Sequence, residues 1–192
     1  MRLLREHCDN WGGITFGLAE FHSNNPRYVI FSHTWGADDQ EVTFKDIVEN
    51  SIAARNKAGY AKLLFCAKQA ADHGLRYFWI DTCCIDKSSS AELSEAINSM
   101  FRSYKNAAAC FVFLADVSSY DFRVDNRCFE KSRWFTRGWT LQELVAPERI
   151  EFYTKDAERI GTRDDLLPHI VEATGISTEA VQGCPLGYFS VR

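Results

Sequence analysis

The chain has 192 residues, of which 46% are hydrophobic and 25% charged, a composition typical of a globular protein long enough to bury one core. The formal net charge of -4 argues against an extended basic surface that follows a nucleic-acid backbone and leaves room only for a local basic patch. The opening sequence MRLLREHCDN lacks the apolar stretch of a signal peptide. The longest apolar run, 107–115, is too short to span a bilayer. These features predict a cytoplasmic protein.

Strand-like and helix-like segments alternate along the chain. Residues 27–32 (RYVIFS) are rich in β-branched and aromatic side chains and follow the turn-forming sequence SNNP, which predicts a strand. Residues 58–73 carry apolar side chains at helical spacing and precede Gly74, which predicts a helix with a glycine stop. The remaining predicted elements are, in order, a strand at 75–81, a helix at 91–105, a strand at 109–115, an irregular loop at 116–132, a helix at 139–145, a strand at 150–153 and a helix at 164–173.

This alternation predicts the α/β class, with three layers and a mainly parallel sheet flanked by helices. Ligands of such sheets usually bind beyond the carboxyl ends of the strands. The candidate functional residues are therefore the polar ones that follow the first two predicted strands, in SHTWG (32–36) and DTCC (81–84).

The seven cysteines are odd in number and irregularly spaced, and Cys66 and Cys110 lie inside apolar runs. This pattern is typical of buried thiols in a reducing compartment, so we expect all seven to be free. Cys83 and Cys84, together with His33, leave open a thiol nucleophile or a metal site. Adjacent cysteines lack the spacer common in zinc sites, and no second Cys/His pair follows, so no metal site is predicted. Neither a Walker A loop nor a GxGxxG sequence is present to indicate an NTPase or a Rossmann dehydrogenase.

Two motifs follow predicted strands, and each has a plain structural alternative. SHTWG places the side chains of Ser32, His33 and Trp35 directly after a strand. The alternative is a tight turn in which Trp35 only covers the core. WIDTCCIDK (79–87) places Asp81 at the end of the next strand, either as a ligand contact or as a cap of the following turn.

The third motif is RGWTLQEL (137–144). Trp139 and Glu143 are four residues apart and therefore on one helical face, so that an indole and a carboxylate can line one cleft. The alternative is a capping box that begins at Thr140, in which Glu143 would only accept a backbone N–H.

Taken together, SHTWG, WIDTCCIDK and RGWTLQELVAP resemble the motifs of the fungal heterokaryon-incompatibility (HET) domain family in their order and approximate spacing. MRLL and EVTFKDI also fit, so the resemblance covers essentially the whole chain. It implies one HET domain over residues 1–192, and the tail LGYFSVR suggests an N-terminal fragment of a larger protein that continues into NTPase and repeat regions. It also implies a cell-death effector of heterokaryon incompatibility that self-associates on activation and has neither nucleic acid nor membrane as a partner.

More distantly, the three motifs resemble those of Toll/interleukin-receptor (TIR) domains, which have a flavodoxin-like fold, although the 116–132 insertion departs from the common TIR pattern. In NAD⁺-cleaving TIR domains a glutamate is catalytic, and its counterpart by motif position is Glu143. The resemblance thus implies an NAD⁺ nucleosidase in which Trp139 contacts the ligand. Ser32, His33, Trp35 and Asp81 would border the cleft.

The implied chemistry is consistent with these residue types. A carboxylate beside the ribose stabilises the oxocarbenium-like state of nicotinamide–ribose cleavage, and an indole face suits the cationic nicotinamide ring. NAD⁺ would be the substrate, and no cofactor is expected. The competing hypothesis is a non-catalytic signalling module that self-assembles and recruits a separate death effector.

Overall fold

A computed structural model describes residues 1–8 and 12–182. The chain packs as two compact units. The first is made of Met1–Phe31 and Trp35–Met100, and the second of Ser32–Thr34 and the chain from Phe101 onward. The SHTWG motif is therefore divided, since Ser32 and His33 pack with the second unit and Trp35 packs with the first. That residues 1–192 form a single HET domain stays a prediction.

The first unit contains a strand pair that the sequence analysis did not predict. The strands, in chain order, are β1 (Arg2–Cys8), β2 (Ile14–Glu20), β3 (Tyr28–His33) and β4 (Tyr77–Trp79). β1 pairs antiparallel with β2 along its whole length and with β4 at Leu4 and Phe78. β3 runs parallel to β4, and all six of its residues are buried. In β1 (RLLREHC) the adjacent Leu3 and Leu4 are buried and the other residues are half-buried or exposed.

Helices join and cover these strands. They are α1 (Phe44–Val48), α2 (Ala58–Asp72), α3 (Asp81–Cys84) and α4 (Ser90–Lys105), with a 3₁₀ helix at Ile52–Asn56. α1 begins with a capping box between Thr43 and Asp46. α2 ends as predicted, because Gly74 takes a φ of 69° that suits glycine. α4 starts in the first unit and its last residues belong to the second.

The second unit repeats the alternation of strands and helices. After β5 (Ala109–Leu114) come α5 (Ser119–Val124), α6 (Arg127–Glu130), a 3₁₀ helix (Arg133–Thr136), α7 (Thr140–Val145), β6 (Ile150–Thr154), β7 (Arg159–Thr162), α8 (Leu167–Thr174) and α9 (Thr178–Val181). β5 is parallel to β6, and β6 is antiparallel to β7. Phe129, Trp134 and Phe152 are fully buried and meet edge to face, so they form the aromatic centre of this unit.

The predicted α/β class, with strands flanked by helices, is confirmed. Parallel pairing joins β3 with β4 and β5 with β6, while β1, β2 and β7 add antiparallel pairs. Two predictions were wrong in detail. The strand predicted at 75–81 is only Tyr77–Trp79, because Asp81 begins α3. The loop predicted at 116–132 contains α5 and α6, whose first turns start from the polar residues Ser118 and Asn126.

The six described cysteines have free thiols, and Cys184 lies outside the described residues. Burial raises the pKa of the Cys66 and Cys83 thiols well above the ordinary value. Within residues 1–8 and 12–182, no helix is long and apolar enough to cross a membrane.

Gly59 is required where α2 meets the loop that precedes α1. A Cβ atom at this position would lie 2.9 Å from both the Gln40 carbonyl oxygen and the Val42 amide nitrogen, which are backbone atoms that have little freedom to move. Replacing a helical glycine by alanine ordinarily stabilises a helix by about 0.5–1 kcal/mol. Here the steric overlap outweighs that gain, so we expect Gly59→Ala to lower the free energy of unfolding by about 1–3 kcal/mol.

The measurement is denaturant unfolding of Gly59→Ala beside Gly138→Ala. A Cβ at Gly138 meets no atom within 4 Å, so the control should change stability by no more than about 0.5 kcal/mol. A Gly59→Ala protein as stable as the wild type would contradict the packing described here.

Candidate functional site

A buried carboxylate lies at the centre of the second unit. Glu143, in α7, is 4% exposed. Its Oε2 atom accepts a hydrogen bond from the Ser32 hydroxyl at 2.6 Å and another from the Arg137 guanidinium at 3.0 Å. The second guanidinium nitrogen approaches Oε1 at 3.4 Å. This geometry ties the end of β3 to α7 through a charged group.

The Ser32 hydroxyl both donates and accepts a hydrogen bond in the group of residues around Glu143. It accepts a hydrogen bond from the Trp134 indole nitrogen at 2.7 Å while donating its own proton to Glu143. Ser32 is 1% exposed and Trp134 is not exposed at all. A hydroxyl has a single proton to donate, so the direction of the chain is fixed as Trp134 to Ser32 to Glu143. Ser32 therefore positions the carboxylate rather than offering a free group to a ligand.

The start of α7 is attached to the same network. The Thr140 hydroxyl donates to the Trp134 carbonyl at 2.5 Å, and the residue at the helix N-cap is Trp139. The capping box considered from the sequence is therefore wrong, because the Thr140 hydroxyl and the Glu143 carboxylate both have other partners. Local spacing suggested a cap, but the Thr140 hydroxyl bonds to Trp134, six residues earlier, and the Glu143 carboxylate bonds to Ser32, 111 residues away.

Arg137 supplies the positive charge that Glu143 needs. A buried carboxylate loses its hydration, and a guanidinium that bonds both of its oxygens offsets much of that cost. The Arg137 side chain is 19% exposed and that of Glu143 is 6% exposed, so the cation is the more exposed partner of the pair. The sequence analysis did not identify Arg137 or Trp134, although Arg137 is the first residue of RGWTLQEL.

His33 and Trp139 lie in the same unit as Glu143. His33 is the last residue of β3 and is 3% exposed, whereas Trp139 is 38% exposed. The Glu143 amide donates to the Trp139 carbonyl at 3.2 Å, as expected for residues one helical turn apart. Of these two predicted ligand contacts, only Trp139 presents a substantial part of its side chain to solvent.

In the first unit the structure brings Trp35 and Asp81 together. The Trp35 indole nitrogen donates to Asp81 Oδ2 at 2.9 Å, and Asp81 Oδ1 accepts the Thr82 amide at 2.8 Å. Asp81 is the first residue of α3, and its carboxylate fixes the indole. Trp35 is 48% exposed, and the Lys87 ammonium lies 3.6 Å from its ring centroid. The alternative in which Trp35 only covers the core does not describe this geometry.

Glu41 holds the loop that carries Trp35, a role that sequence reasoning missed. It is 7% exposed, accepts the Gly36 amide at 2.6 Å and forms an ion pair with Lys62 of α2. Lys62 is 21 residues away along the chain, so no local spacing indicates this pair.

Beside this loop the first unit contains a cavity of about 540 Å³. Its apolar lining consists of Trp35, Phe44, Val48 and Ile85. Its charged lining consists of Asp38, Glu41, Lys45, Glu49, Asp86 and Lys87. A volume of this size is in the range of small-molecule sites.

Cys83 and Cys84 do not have the properties of an activated nucleophile. Both are buried, and Cys83 donates to the Val42 carbonyl at 3.2 Å. Burial raises the pKa of Cys84 to about 12, so its thiolate form is scarce at neutral pH. Among the described residues, no group of three or more His, Cys, Asp or Glu side chains is arranged to hold a metal ion.

The structure therefore pairs Ser32 with Glu143 in the second unit and Trp35 with Asp81 in the first. That all six predicted residues line one cleft stays a prediction.

Comparison with known proteins agrees with the family resemblance that the sequence motifs indicate. The family model described as heterokaryon incompatibility protein (HET) matches residues 28–128, which contain both SHTWG and WIDTCCIDK. The chain belongs to the HET family. It is 52% identical over 172 residues to vegetative incompatibility protein HET-E-1 of Podospora anserina. That alignment covers 87% of this HET chain but only 12% of the relative, so the chain spans about an eighth of that protein. No solved structure matches it.

The Trp134–Ser32–Glu143 chain generates a stability prediction. Ser32→Ala removes the acceptor of a buried indole N–H and a donor to a buried carboxylate. We expect a loss of about 2–5 kcal/mol in the free energy of unfolding, since each buried group left without its partner costs about 1–3 kcal/mol. Denaturant unfolding measures the loss, and the Trp134 indole proton should shift in the NMR spectrum.

The matched control is Ser94→Ala on α4, where the serine is exposed. It should lie within about 0.5 kcal/mol of the wild type. Equal stability of the two variants would show that Ser32 does not join Trp134 to Glu143.

Proposed function

We propose that this HET domain acts in heterokaryon incompatibility as a cell-death effector in the cytoplasm. The observation that carries the proposal is family membership, together with 52% identity to a vegetative incompatibility protein over most of this chain. Self-association on activation and the NTPase and repeat regions of a longer protein belong to the same proposal.

The proposed chemistry is cleavage of the nicotinamide–ribose bond of NAD⁺, with Glu143 as the catalytic carboxylate. The C–N bond breaks with its electron pair passing to nicotinamide, water adds to the ribose carbon, and ADP-ribose and a proton are released. The ribose carbon is positively charged in the transition state, so a fixed negative charge beside it lowers the barrier. The support is that the Glu143 carboxylate accepts a hydrogen bond from Ser32 and forms an ion pair with Arg137, which hold it in one position.

Arg137 and Trp139 have distinct parts in this proposal. A guanidinium binds phosphate as readily as carboxylate, so the pyrophosphate of NAD⁺ is a suitable competitor for Arg137. Transfer of Arg137 to the pyrophosphate would release the Glu143 carboxylate toward the ribose. The half-exposed indole of Trp139 offers a stacking face for the cationic nicotinamide ring.

The test of this chemistry is Glu143→Gln, which keeps the size of the side chain and removes its charge. We expect nicotinamide release to fall by about a hundredfold or more, the usual effect of losing one well-placed electrostatic group. Cell killing should be lost as well. The assay measures nicotinamide release from NAD⁺ by the purified chain, both dilute and fused to a domain that forces oligomers.

Glu148→Gln is the control, because Glu148 is an exposed carboxylate that lies five positions after Glu143, outside α7. It should retain full activity. The proposed chemistry is contradicted by a folded Glu143→Gln protein that still releases nicotinamide at the rate of Glu148→Gln.

A specific observation favours the non-catalytic alternative. In α4, Ile97 is 42% exposed, and Leu93 and Met100, about one turn away on either side, are half-buried. These three residues of the first unit lie on one helical face, so they form an apolar surface of the kind that mediates self-assembly. If Ile97→Glu abolishes both killing and self-association while wild-type protein leaves NAD⁺ intact, the domain acts as a scaffold.

A further inference from the structure

The cavity in the first unit has a charge and shape that the proposed NAD⁺ chemistry does not use. We propose that it is a binding site for a small organic cation that carries a primary ammonium group. Trp35 forms the recognition surface, and the carboxylates around the cavity supply the complementary charge. This inference does not depend on the proposed NAD⁺ cleavage, which relies on Glu143 of the second unit.

The first argument is that a cation already lies on the indole. The Lys87 ammonium is 3.6 Å from the Trp35 ring centroid, well within the distance at which a cation is attracted to an aromatic face. The hydrogen bond from Trp35 to Asp81 fixes the orientation of that face. Lys87 belongs to the cavity lining, so the chain's own side chain shows which chemical group this surface accepts.

The second argument is the balance of charge. Four carboxylates and two lysines line the cavity. Ion pairs join Glu41 to Lys62 and Glu49 to Lys45, which leaves Asp38 and Asp86 against Lys87. Hydrogen bonds from Ser88 lower the pKa of Asp86, which keeps that carboxylate charged near neutral pH. An excess of negative charge favours an ammonium ligand and disfavours the phosphates of a nucleotide.

The third argument is size. A cavity of about 540 Å³ lies within the range of small-molecule sites and offers apolar walls, including Phe44 and Ile85, to the methylene groups of a ligand. An alkylammonium chain combines both requirements, because its charged end can contact Trp35 while its methylene groups lie against the apolar walls.

The test is titration of the 192-residue chain with spermidine, followed by calorimetry and by the NMR signal of the Trp35 indole N–H. We expect saturable binding that shifts this signal. Trp35→Leu should weaken binding by about tenfold, as expected for loss of a partly desolvated cation–π contact. Unchanged affinity in a Trp35→Leu protein with the wild-type melting temperature would overturn the assignment.

A second variant tests the site without removing its recognition surface. Lys87→Met frees the indole face from its internal cation, so spermidine should bind more tightly, by about threefold or more. The control is Lys68→Met, which changes the net charge equally but lies on the exposed face of α2, where Lys68 pairs with Asp72. Equal affinity of the two variants would refute competition by Lys87.

Two further ligands identify the source of the cation. A short peptide with one lysine tests whether the ammonium group belongs to a protein partner, and NAD⁺ tests whether the cavity serves the proposed reaction. Saturation by spermidine alone supports the small-molecule site. Binding of only the peptide, or a Trp35 shift with only NAD⁺, overturns it. If Glu143→Gln loses NAD⁺ cleavage but binds spermidine normally, the cavity binds its ligand independently of the proposed reaction.

Discussion

A carboxylate that is removed from water must receive hydrogen bonds and an opposite charge, and in the second unit Glu143 receives both. Ser32 and Arg137 provide them, and the Ser32 oxygen also accepts a hydrogen bond from Trp134. Three separate chain segments are thereby fixed together: the end of β3, the 3₁₀ helix and α7. Removing one partner of a buried charged pair typically costs about 3–5 kcal/mol, a large fraction of the stability of a domain.

The motif residues differ in what they leave available for a ligand. Ser32 and His33 are buried, so the first half of SHTWG serves packing and the positioning of Glu143. Trp35 has nearly half of its surface exposed, with its indole nitrogen bonded to Asp81 and its face toward Lys87. In RGWTLQEL the same division holds between the buried Glu143 and the exposed Trp139. The two exposed tryptophans are the parts of the HET motifs best suited to contact a ligand.

Elements were predicted correctly where the pattern that indicates them lies within one short stretch of sequence. The helix over α2, its stop at Gly74 and the buried strand β5 agree with the structure within about two residues at each end. The antiparallel strands β1 and β2 were missed because polar and apolar residues alternate only weakly in them, and the sequence of one strand does not show which strand it pairs with. α5 and α6 are short, so their periodicity is too brief to distinguish them from a loop.

The candidate site was predicted in its residue types but not in its contacts. Spacing alone suggested that Glu143 shares a face with Trp139, whereas its carboxylate bonds to Ser32, 111 residues away. Glu41 was missed for the same physical reason, whereas Arg137 lies only six residues before Glu143 but outside α7, so helical spacing does not indicate that pair. An ionisable side chain inside a motif gives no local indication of whether it will be buried, and its partner is determined by packing between distant segments.

The most direct measurement is a double-mutant cycle between Arg137 and Glu143. Arg137→Gln, Glu143→Gln and the double variant are compared with wild type by denaturant unfolding. Each single variant leaves one buried charge without its partner, and the double variant removes both charges, so the account predicts a coupling energy of at least about 1–3 kcal/mol. A coupling energy near zero would contradict the claim that this ion pair holds the buried carboxylate in place.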